Sequence, residues 1–157
     1  MKTRFIINII LFVLVFVSSN LKAETIFFDS KNIKIEENGN MIFATKGKAN
    51  IPSSNLIIEG DKFIYNKKIS ELIVLDDVKY FDRENKVYIE SQKIIYNEVT
   101  NTIFSKSDTY IKYEDDYKIN SSDVLYNRTS NEILSNQFTK ITDKNQNKFQ
   151  FNKGLIF

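Results

Sequence analysis

The sequence predicts an all-β fold of antiparallel strands built from a repeated unit. The first observation is a heptapeptide that occurs three times, at residues 60–66 (GDKFIYN), 91–97 (SQKIIYN) and 121–127 (SSDVLYN). The three tyrosines are 31 and 30 residues apart. The second observation is an apolar strand that follows each copy after a short polar turn. The third is that no apolar pattern of helical length lies beyond residue 23.

Each heptapeptide is predicted to be a strand that ends in a turn, because the apolar pair and tyrosine favour a strand and the asparagine favours a turn. The strands that follow are predicted at residues 72–75, 103–104 and 133–134. A fixed period of this kind is typical of a stacked unit whose core only the stack can bury. A degenerate first copy is predicted around Ile35, which completes about four units of roughly 30 residues.

The second strand of each unit presents alternating side chains to one face. These positions are Leu72, Val74, Val78 and Tyr80 in one unit, Ile103, Ser105, Ser107, Thr109, Ile111 and Tyr113 in the next, and Ile133, Ser135, Gln137, Thr139 and Ile141 in the last. This face is apolar at both ends and small or polar in the middle. The first strands are apolar on both faces near the tyrosine. Two arrangements explain that pattern: a bulge or sheet-to-sheet bend near Asp61, Gln92 and Ser122, or a sandwich with an accessible apolar interior.

Residues 1–23 are predicted to be a secretory signal peptide, followed by one domain over residues 24–157. Lys2 and Arg4 precede a stretch at residues 5–17 that is apolar but for one asparagine, and Leu21-Lys22-Ala23 supplies the cleavage site. The stretch is short for a membrane helix, which needs about 20 residues. An uncleaved N-terminal anchor is the alternative.

The basic charge balance of the chain belongs to this targeting segment. Residues 1–23 carry three cations and no acid, so the formal net charge of +2 becomes −1 without them. The charge is therefore no argument for a nucleic-acid partner, and none is expected. The absence of cysteine excludes disulfide bonds and a lipid attached at a lipoprotein-type cleavage site.

Neither a catalytic site, a metal site nor a cofactor is predicted. The chain lacks histidine and cysteine, which are the commonest general base, nucleophile and transition-metal ligands. The neighbouring acids Asp76 and Asp77 would point to opposite faces of a strand, as would Asp115 and Asp116, so neither pair can act on one bond. No glycine-rich phosphate loop is present. We therefore expect a protein that is not an enzyme.

The repeated strand, with a small residue first and an apolar pair before Tyr-Asn, resembles the OstA-like repeat of lipopolysaccharide transport proteins. That family includes the periplasmic bridge LptA, its membrane-anchored partner LptC and the N-terminal domain of the outer-membrane assembly protein LptD. The resemblance covers about residues 30–157. The family's Ala-Asp is matched by Gly60-Asp61, Ser91-Gln92 and Ser122-Asp123. Its Gly-Asn-Val is replaced by sequences without glycine, at residues 76–78, 107–109 and 136–138.

The resemblance implies a β-jellyroll that is open along one side, whose apolar groove carries the acyl chains of lipopolysaccharide. It also implies a periplasmic location, with a possible association with the outer membrane, and binding to other jellyrolls of the transport system by edge-strand addition. The candidate groove residues are Val74, Val78, Ile103, Ser105, Ser107, Thr109, Ile111, Ile133, Ser135 and Ile141. The small residues among them leave room for acyl chains.

Several alternatives stay open at this point. Residues 138–157 resemble the last repeat of an LptD N-terminal domain, so the chain is either the N-terminal part of a longer assembly protein or a free-standing LptA-like bridge. A ligand-free structural solenoid of the cell envelope is the rival functional class. A membrane barrel agrees less well, because charges such as Lys62, Lys79 and Lys93 interrupt both strand faces.

Overall fold

A computed structural model describes residues 25–152 and a last short strand at 155–156. Strands joined by tight turns make up most of this part of the chain, and it contains no α-helix. The all-β prediction is therefore confirmed. The predicted signal peptide, residues 1–23, lies outside the described residues.

The strands run antiparallel, and most neighbours in the chain are neighbours in the sheet. Their bounds are β1 Phe27–Glu36, β2 Met41–Ile51, β3 Leu56–Asn66, β4 Glu71–Asp82, β5 Val87–Asn97, β6 Thr102–Tyr113, β7 Tyr117–Ser122, β8 Leu125–Asn127, β9 Glu132–Ser135, β10 Thr139–Asp143, β11 Lys148–Phe151 and β12 Leu155–Ile156. Short 3-10 turns at Glu37–Gly39 and Pro52–Ser54 connect the first three strands. The order is consecutive from β1 to β7, and then β10 and β11 follow.

The long strands bend near their middles, where the pairing register shifts. These shifts fall between Glu59 and Lys62 in β3, between Leu75 and Val78 in β4, and between Ser91 and Lys93 in β5. Extra unpaired residues of this kind bend a strand and increase its local twist. The bend predicted near Asp61 and Gln92 is therefore present.

Left-handed backbone occurs at several of these bends. Asp76, Asp77 and Ser107 have φ values of 64°, 48° and 74°. These three residues stand where the OstA-like repeat usually has its glycine-containing triplet. Aspartate tolerates left-handed backbone comparatively well, whereas serine adopts it at a cost of about 1–2 kcal/mol. The repeat thus prefers glycine at this place because the backbone is left-handed there, and this chain adopts the same backbone with aspartate and serine.

The bends divide the strands between two layers. Layer I consists of β8, β9, β12 and residues 32–36, 41–45, 62–66, 71–75, 93–97 and 102–106. Layer II consists of β7, β10, β11 and residues 27–30, 47–51, 56–59, 78–82, 87–91 and 108–113. The rings of Tyr80 in layer II and Tyr126 in layer I have centroids 6.4 Å apart, so the layers face each other.

The core lies between the layers. The repeated tyrosines Tyr65, Tyr96 and Tyr126 are 6%, 0% and 0% exposed. They belong to one inward row, because Leu72 pairs with both Tyr65 and Tyr96, and Ile103 pairs with both Tyr96 and Tyr126. The repeated tyrosines therefore form a ladder within the core.

The same row extends backwards into the degenerate first copy. Ile35 in β1 pairs with Ile42 in β2, which pairs with Tyr65 in β3. Residues directly opposite each other in antiparallel strands share a face. Ile35 therefore occupies the place of a repeated tyrosine, as the 30-residue period predicts.

Candidate functional site

All but one of the sequence-predicted groove residues lie on the inner faces of the layers. Val74, Val78, Ile103, Ser105, Thr109, Ile111, Ile133, Ser135 and Ile141 are each at most 4% exposed. The exception is Ser107, which is exposed. Ser107 lies at the bend of β6, where its left-handed backbone turns its side chain outward, and the inward alternation resumes in the same phase at Thr109 and Ile111.

Buried hydroxyl groups line the inside of the bends. Ser105 Oγ lies 2.8 Å from Thr109 Oγ1, and the hydroxyl of Ser91 donates to the carbonyl of Lys106 at 3.0 Å. A second cluster joins Ser121 to Ser135 at 2.8 Å and to Thr139 at 2.7 Å. The small polar residues in mid-strand therefore have a structural role, since they satisfy buried polar groups where the ladder is interrupted.

An ion pair joins the two layers at the edge opposite the bends, where the turns of both layers lie. Arg128 is in the turn after β8 in layer I, and Asp82 ends β4 in layer II. Arg128 Nε lies 2.7 Å from Asp82 Oδ2, and the two side chains are 4% and 0% exposed. We call this pair the latch, because it is a buried contact that crosses between the layers at their open edge.

Further hydrogen bonds satisfy the remaining groups of the latch. The guanidinium of Arg128 also donates to Asn101 Oδ1 at 2.7 Å and to the carbonyl of Ser54 at 3.0 Å. The carboxylate of Asp82 accepts bonds from the backbone N–H groups of Glu84 and Asn85 at 3.1 Å and from Asn85 Nδ2 at 3.0 Å. A buried ion pair is tolerated only when such additional bonds are made.

The latch is charged under ordinary conditions. Burial disfavours the carboxylate of Asp82, but hydrogen bonds from Arg128 and Asn85 outweigh burial and lower the pKa of Asp82. Burial likewise disfavours the charged guanidinium, but the bond to Asp82 raises the pKa of Arg128 above its ordinary value. Burial and the nearby carboxylate of Asp82 raise the pKa values of the tyrosines beside the latch, Tyr80 and Tyr126.

The sequence analysis missed the latch. It assigns no role to Asp82 or to Arg128. The available signal was the alternation of Val78, Tyr80 and Asp82, which puts an acid on an inward face and implies a buried cationic partner. The identity of that partner could not be predicted, because it lies 46 residues away in the chain.

The interior ends on exposed apolar side chains at both ends of the stack. In β1, Ile33 and Ile35 are 49% and 62% exposed although their pairing places them on the inner face. In β11, Phe149 and Phe151 are 46% and 38% exposed, opposite the buried Ile141 and Thr139. The inner apolar surface therefore continues to both outer strands of the described sheet.

The region between β1 and β3 is less tightly filled than the middle of the stack. Phe28 packs its ring against Phe63 and Tyr65, with centroids 6.0 and 6.3 Å apart. Phe28, Ile26 and Ile42 are only partly buried, whereas Tyr80, Tyr96 and Tyr126 are fully buried. Apolar surface is thus available between the layers chiefly near β1.

Two other kinds of feature are absent from residues 25–152. This part of the chain has no group of three or more acidic side chains that could hold a metal ion. It also contains no helix long and apolar enough to cross a membrane.

The comparisons with known proteins identify a structural relative. Neither a protein-family model nor a curated protein matches the chain. The structure is similar to that of LptH from Pseudomonas aeruginosa, described as the LptA homologous periplasmic component of the conserved lipopolysaccharide transport device. The TM-score is 0.64, the sequence identity is 8%, and the match covers 83% of this chain and 96% of that one. At this identity the likeness shows the fold, and it confirms the LptA-type β-jellyroll that the repeats imply.

Proposed function

We propose that this chain is a lipopolysaccharide-transport domain that shields acyl chains between its two layers. The observation that carries the proposal is the apolar inner surface, which runs through the stack and ends on exposed side chains in β1 and β11. The protein acts by binding and not by catalysis. It works in the periplasm after removal of residues 1–23, and its location there is part of the proposal.

The physical basis of transport is the transfer of acyl chains into an apolar space. Each methylene removed from water contributes about 0.8 kcal/mol. A transit site must also release its cargo, so a continuous and unspecific surface suits the task better than a deep pocket. The partly buried side chains Phe28 and Ile42 make the β1 end the first place for an acyl chain. The buried groove candidates around Val74, Ile103 and Ile133 would be reached only when the layers move apart.

The outer strands provide the contact to other jellyrolls of the transport system. β1 and β11 end the described path of the sheet, and each leaves backbone groups on one side without a strand partner. Such edges pair readily with a strand from another chain. The two alternatives are a free-standing LptA-like bridge and the N-terminal part of an assembly protein. We assign the chain to the LptA-like bridge, because the structural match covers 96% of the LptH chain.

A ligand-free scaffold is the second candidate function. It is favoured by the filled middle of the core, the hydrogen-bonded hydroxyls at the bends and the latch across the open edge. On this view the layers never separate, and the exposed apolar residues of β1 and β11 serve only to join neighbouring proteins.

Photo-crosslinking in living cells distinguishes the two functions. A crosslinking amino acid at Ile42 faces the interior, whereas one at its neighbour Phe43 faces outward on the same strand. Transport predicts capture of lipopolysaccharide at residue 42 and not at residue 43. Capture at neither position supports the scaffold, and equal capture at both positions removes the interior as the lipid site. Residue 107 is unsuitable as an interior probe, because it is exposed.

A further inference from the structure

The outer face of layer I carries an unbroken row of apolar side chains. One residue from each of seven adjacent strands contributes to it: Phe43, Ile64, Ile73, Ile95, Phe104, Leu125 and Leu134. These residues pair directly with one another across the strands, so they share the outer face. All of them are half-buried, although the opposite face of the same strands already forms the core. We call this set the outer apolar row.

Charges of opposite sign lie on the two sides of the outer apolar row. On the side of the turns, Glu71 and Glu132 lie two residues from Ile73 and Leu134 on their own strands. On the side of the bends, the matching positions in β3, β5 and β6 are Lys62, Lys93 and Lys106, with Leu75 of β4 between the first two, and Asp123 is the one acid on this side. Side chains two residues apart in a strand share a face. The outer apolar row therefore lies between a turn side with two acids among uncharged residues and a bend side with three lysines and one acid, which we call the acidic row and the basic row.

The outer face of layer II is arranged differently. Its strands carry charges that alternate from one strand to the next: Asp29, Lys48, Glu59, Lys79 and Glu90. Opposite charges on neighbouring strands stabilise a solvated sheet surface, and Lys48 and Glu59 are 2.7 Å apart. On layer I the signs are separated into rows. Within the described residues, Glu71, Lys93 and Lys106 form no ion pair.

We propose that the outer face of layer I binds a second copy of this chain, face to face, about a two-fold axis parallel to the outer apolar row. A rotation about that axis brings the acidic row of each copy over the basic row of the other. An axis parallel to the strands would instead oppose like rows, so charge complementarity selects the first arrangement. The two apolar rows then pack against each other, as in a sandwich of two sheets about 10 Å apart.

The strand order places specific charges opposite each other. Glu71 lies on β4, between β3 with Lys62 and β5 with Lys93. The axis preserves position along the row, so Glu71 lies over the partner's Leu75 and between the lysines that flank it, the partner's Lys62 and the partner's Lys93. Two-fold symmetry repeats each contact. Lys62 is also bound to Asp76 of its own chain at 2.9 Å, which leaves Lys93 as the free counter-charge for Glu71.

This association is distinct from the end-to-end contacts of the proposed function, because it uses neither β1 nor β11. The inference therefore does not depend on lipid transport. It predicts pairs of jellyrolls side by side, whether or not each jellyroll carries a lipid.

Charge reversal tests the proposal, with sedimentation equilibrium of the purified chain as the measurement. Lys93→Glu and Glu71→Lys each oppose like charges, and each is expected to raise the dimer dissociation constant by roughly a hundredfold, since symmetry repeats the contact. The double variant Lys93→Glu/Glu71→Lys exchanges the two signs and is expected to restore dimerisation. The two side chains lie on opposite sides of the apolar row in one chain, so restoration reports a contact between chains.

A matched apolar pair separates the interface from a loss of folding. Ile95→Thr in the outer apolar row is expected to abolish the dimer, whereas Ile57→Thr, half-buried on the outer face of layer II, is expected to leave it intact. A chain that is monomeric at all concentrations overturns the proposal, as does association that survives Ile95→Thr. A monomer that binds phosphatidylglycerol vesicles through this face also overturns it, because the occupant would then be a lipid surface.

Discussion

Arg128 and Asp82 are separated by 46 residues in the chain, yet Nε of the arginine lies 2.7 Å from Oδ2 of the carboxylate. The contact connects a turn of layer I to the end of β4 in layer II. The bends hold the layers together along one edge, and the latch holds them at the opposite edge. Its removal is therefore expected to affect stability and the spacing of the layers together.

We predict that Arg128→Met lowers the free energy of unfolding by about 3–5 kcal/mol, because it leaves the buried carboxylate of Asp82 without its counter-charge. Urea unfolding followed by far-ultraviolet circular dichroism measures the change. The matched control is Lys112→Met, which removes the exposed pair between Lys112 and Asp115 and should lower the free energy of unfolding far less than Arg128→Met does, because solvent screens an exposed pair.

The double variant Asp82→Leu/Arg128→Met completes this test. Replacement of a buried ion pair by apolar residues is often close to neutral, so the double variant should be more stable than Arg128→Met alone. If Arg128→Met lowers the free energy of unfolding no more than Lys112→Met does, the latch does not stabilise the fold as its burial indicates.

The stability of the protein should depend on the protonation of Asp82 in acid. The pKa of this carboxyl is lowered in the folded state from an ordinary value of 3.8. Its contribution to stability is therefore complete above that value and is lost as the pH falls through the folded pKa. We predict that the stability difference between the wild type and Asp82→Asn shrinks below about pH 4. Urea midpoints for both proteins between pH 2 and 7 provide the measurement, and a difference that is constant over this range contradicts the prediction.

The repeated tyrosines should behave as core residues. Tyr96 is fully buried in the inward row, so Tyr96→Ala is predicted to cost about 3–5 kcal/mol of unfolding free energy. Tyr110 lies on the outer face of layer II, and Tyr110→Ala should cost markedly less. Equal losses for the two variants would show that burial does not distinguish the two positions.

Glycine at the bend of β6 is expected to stabilise the chain. Ser107 has a φ of 74° and an exposed side chain, so Ser107→Gly should relieve left-handed strain and raise the free energy of unfolding by about 0.5–1 kcal/mol. Ser105→Gly, at a buried and hydrogen-bonded position on the same strand, should destabilise it. Destabilisation by Ser107→Gly would mean that the serine side chain makes a needed contact at the bend.

Much of the fold follows from local pattern. The period of the Tyr-Asn strands predicts the strands, the inward tyrosine row and the degenerate first copy at Ile35. Ser107 was misplaced because it is an unpaired residue of the bend itself, where left-handed backbone turns the side chain outward although the alternation on either side keeps its phase. The OstA-like repeat usually has a glycine-containing triplet at this point, and without glycine the sequence carries no local signal of the bend. The latch could not be predicted, because the pairing of Asp82 with Arg128 depends on how the two layers face each other.

The outer apolar row could not be predicted from the sequence either. The order of residues along each strand shows that β3 and β5 are apolar on both sides near Ile64 and Ile95. It does not reveal that these residues meet in one row, since that depends on the register between strands. A shift of one residue in any pairing would break the outer apolar row and mix its charges.

The bends also determine how the two layers can move as a mechanical pair. Strand structure runs through the bends of β2 to β6, but it is interrupted at residues 123–124 and 136–138. A bend crossed by a continuous strand holds the two layers more stiffly than a bend at which the strand itself is interrupted. The edge formed by the bends is therefore stiff from β2 to β6 and more compliant towards the C-terminal strands. Arg128 lies between the two interruptions in the chain, where the bends resist separation of the layers least. The latch therefore contributes most to holding the layers together in this part of the stack.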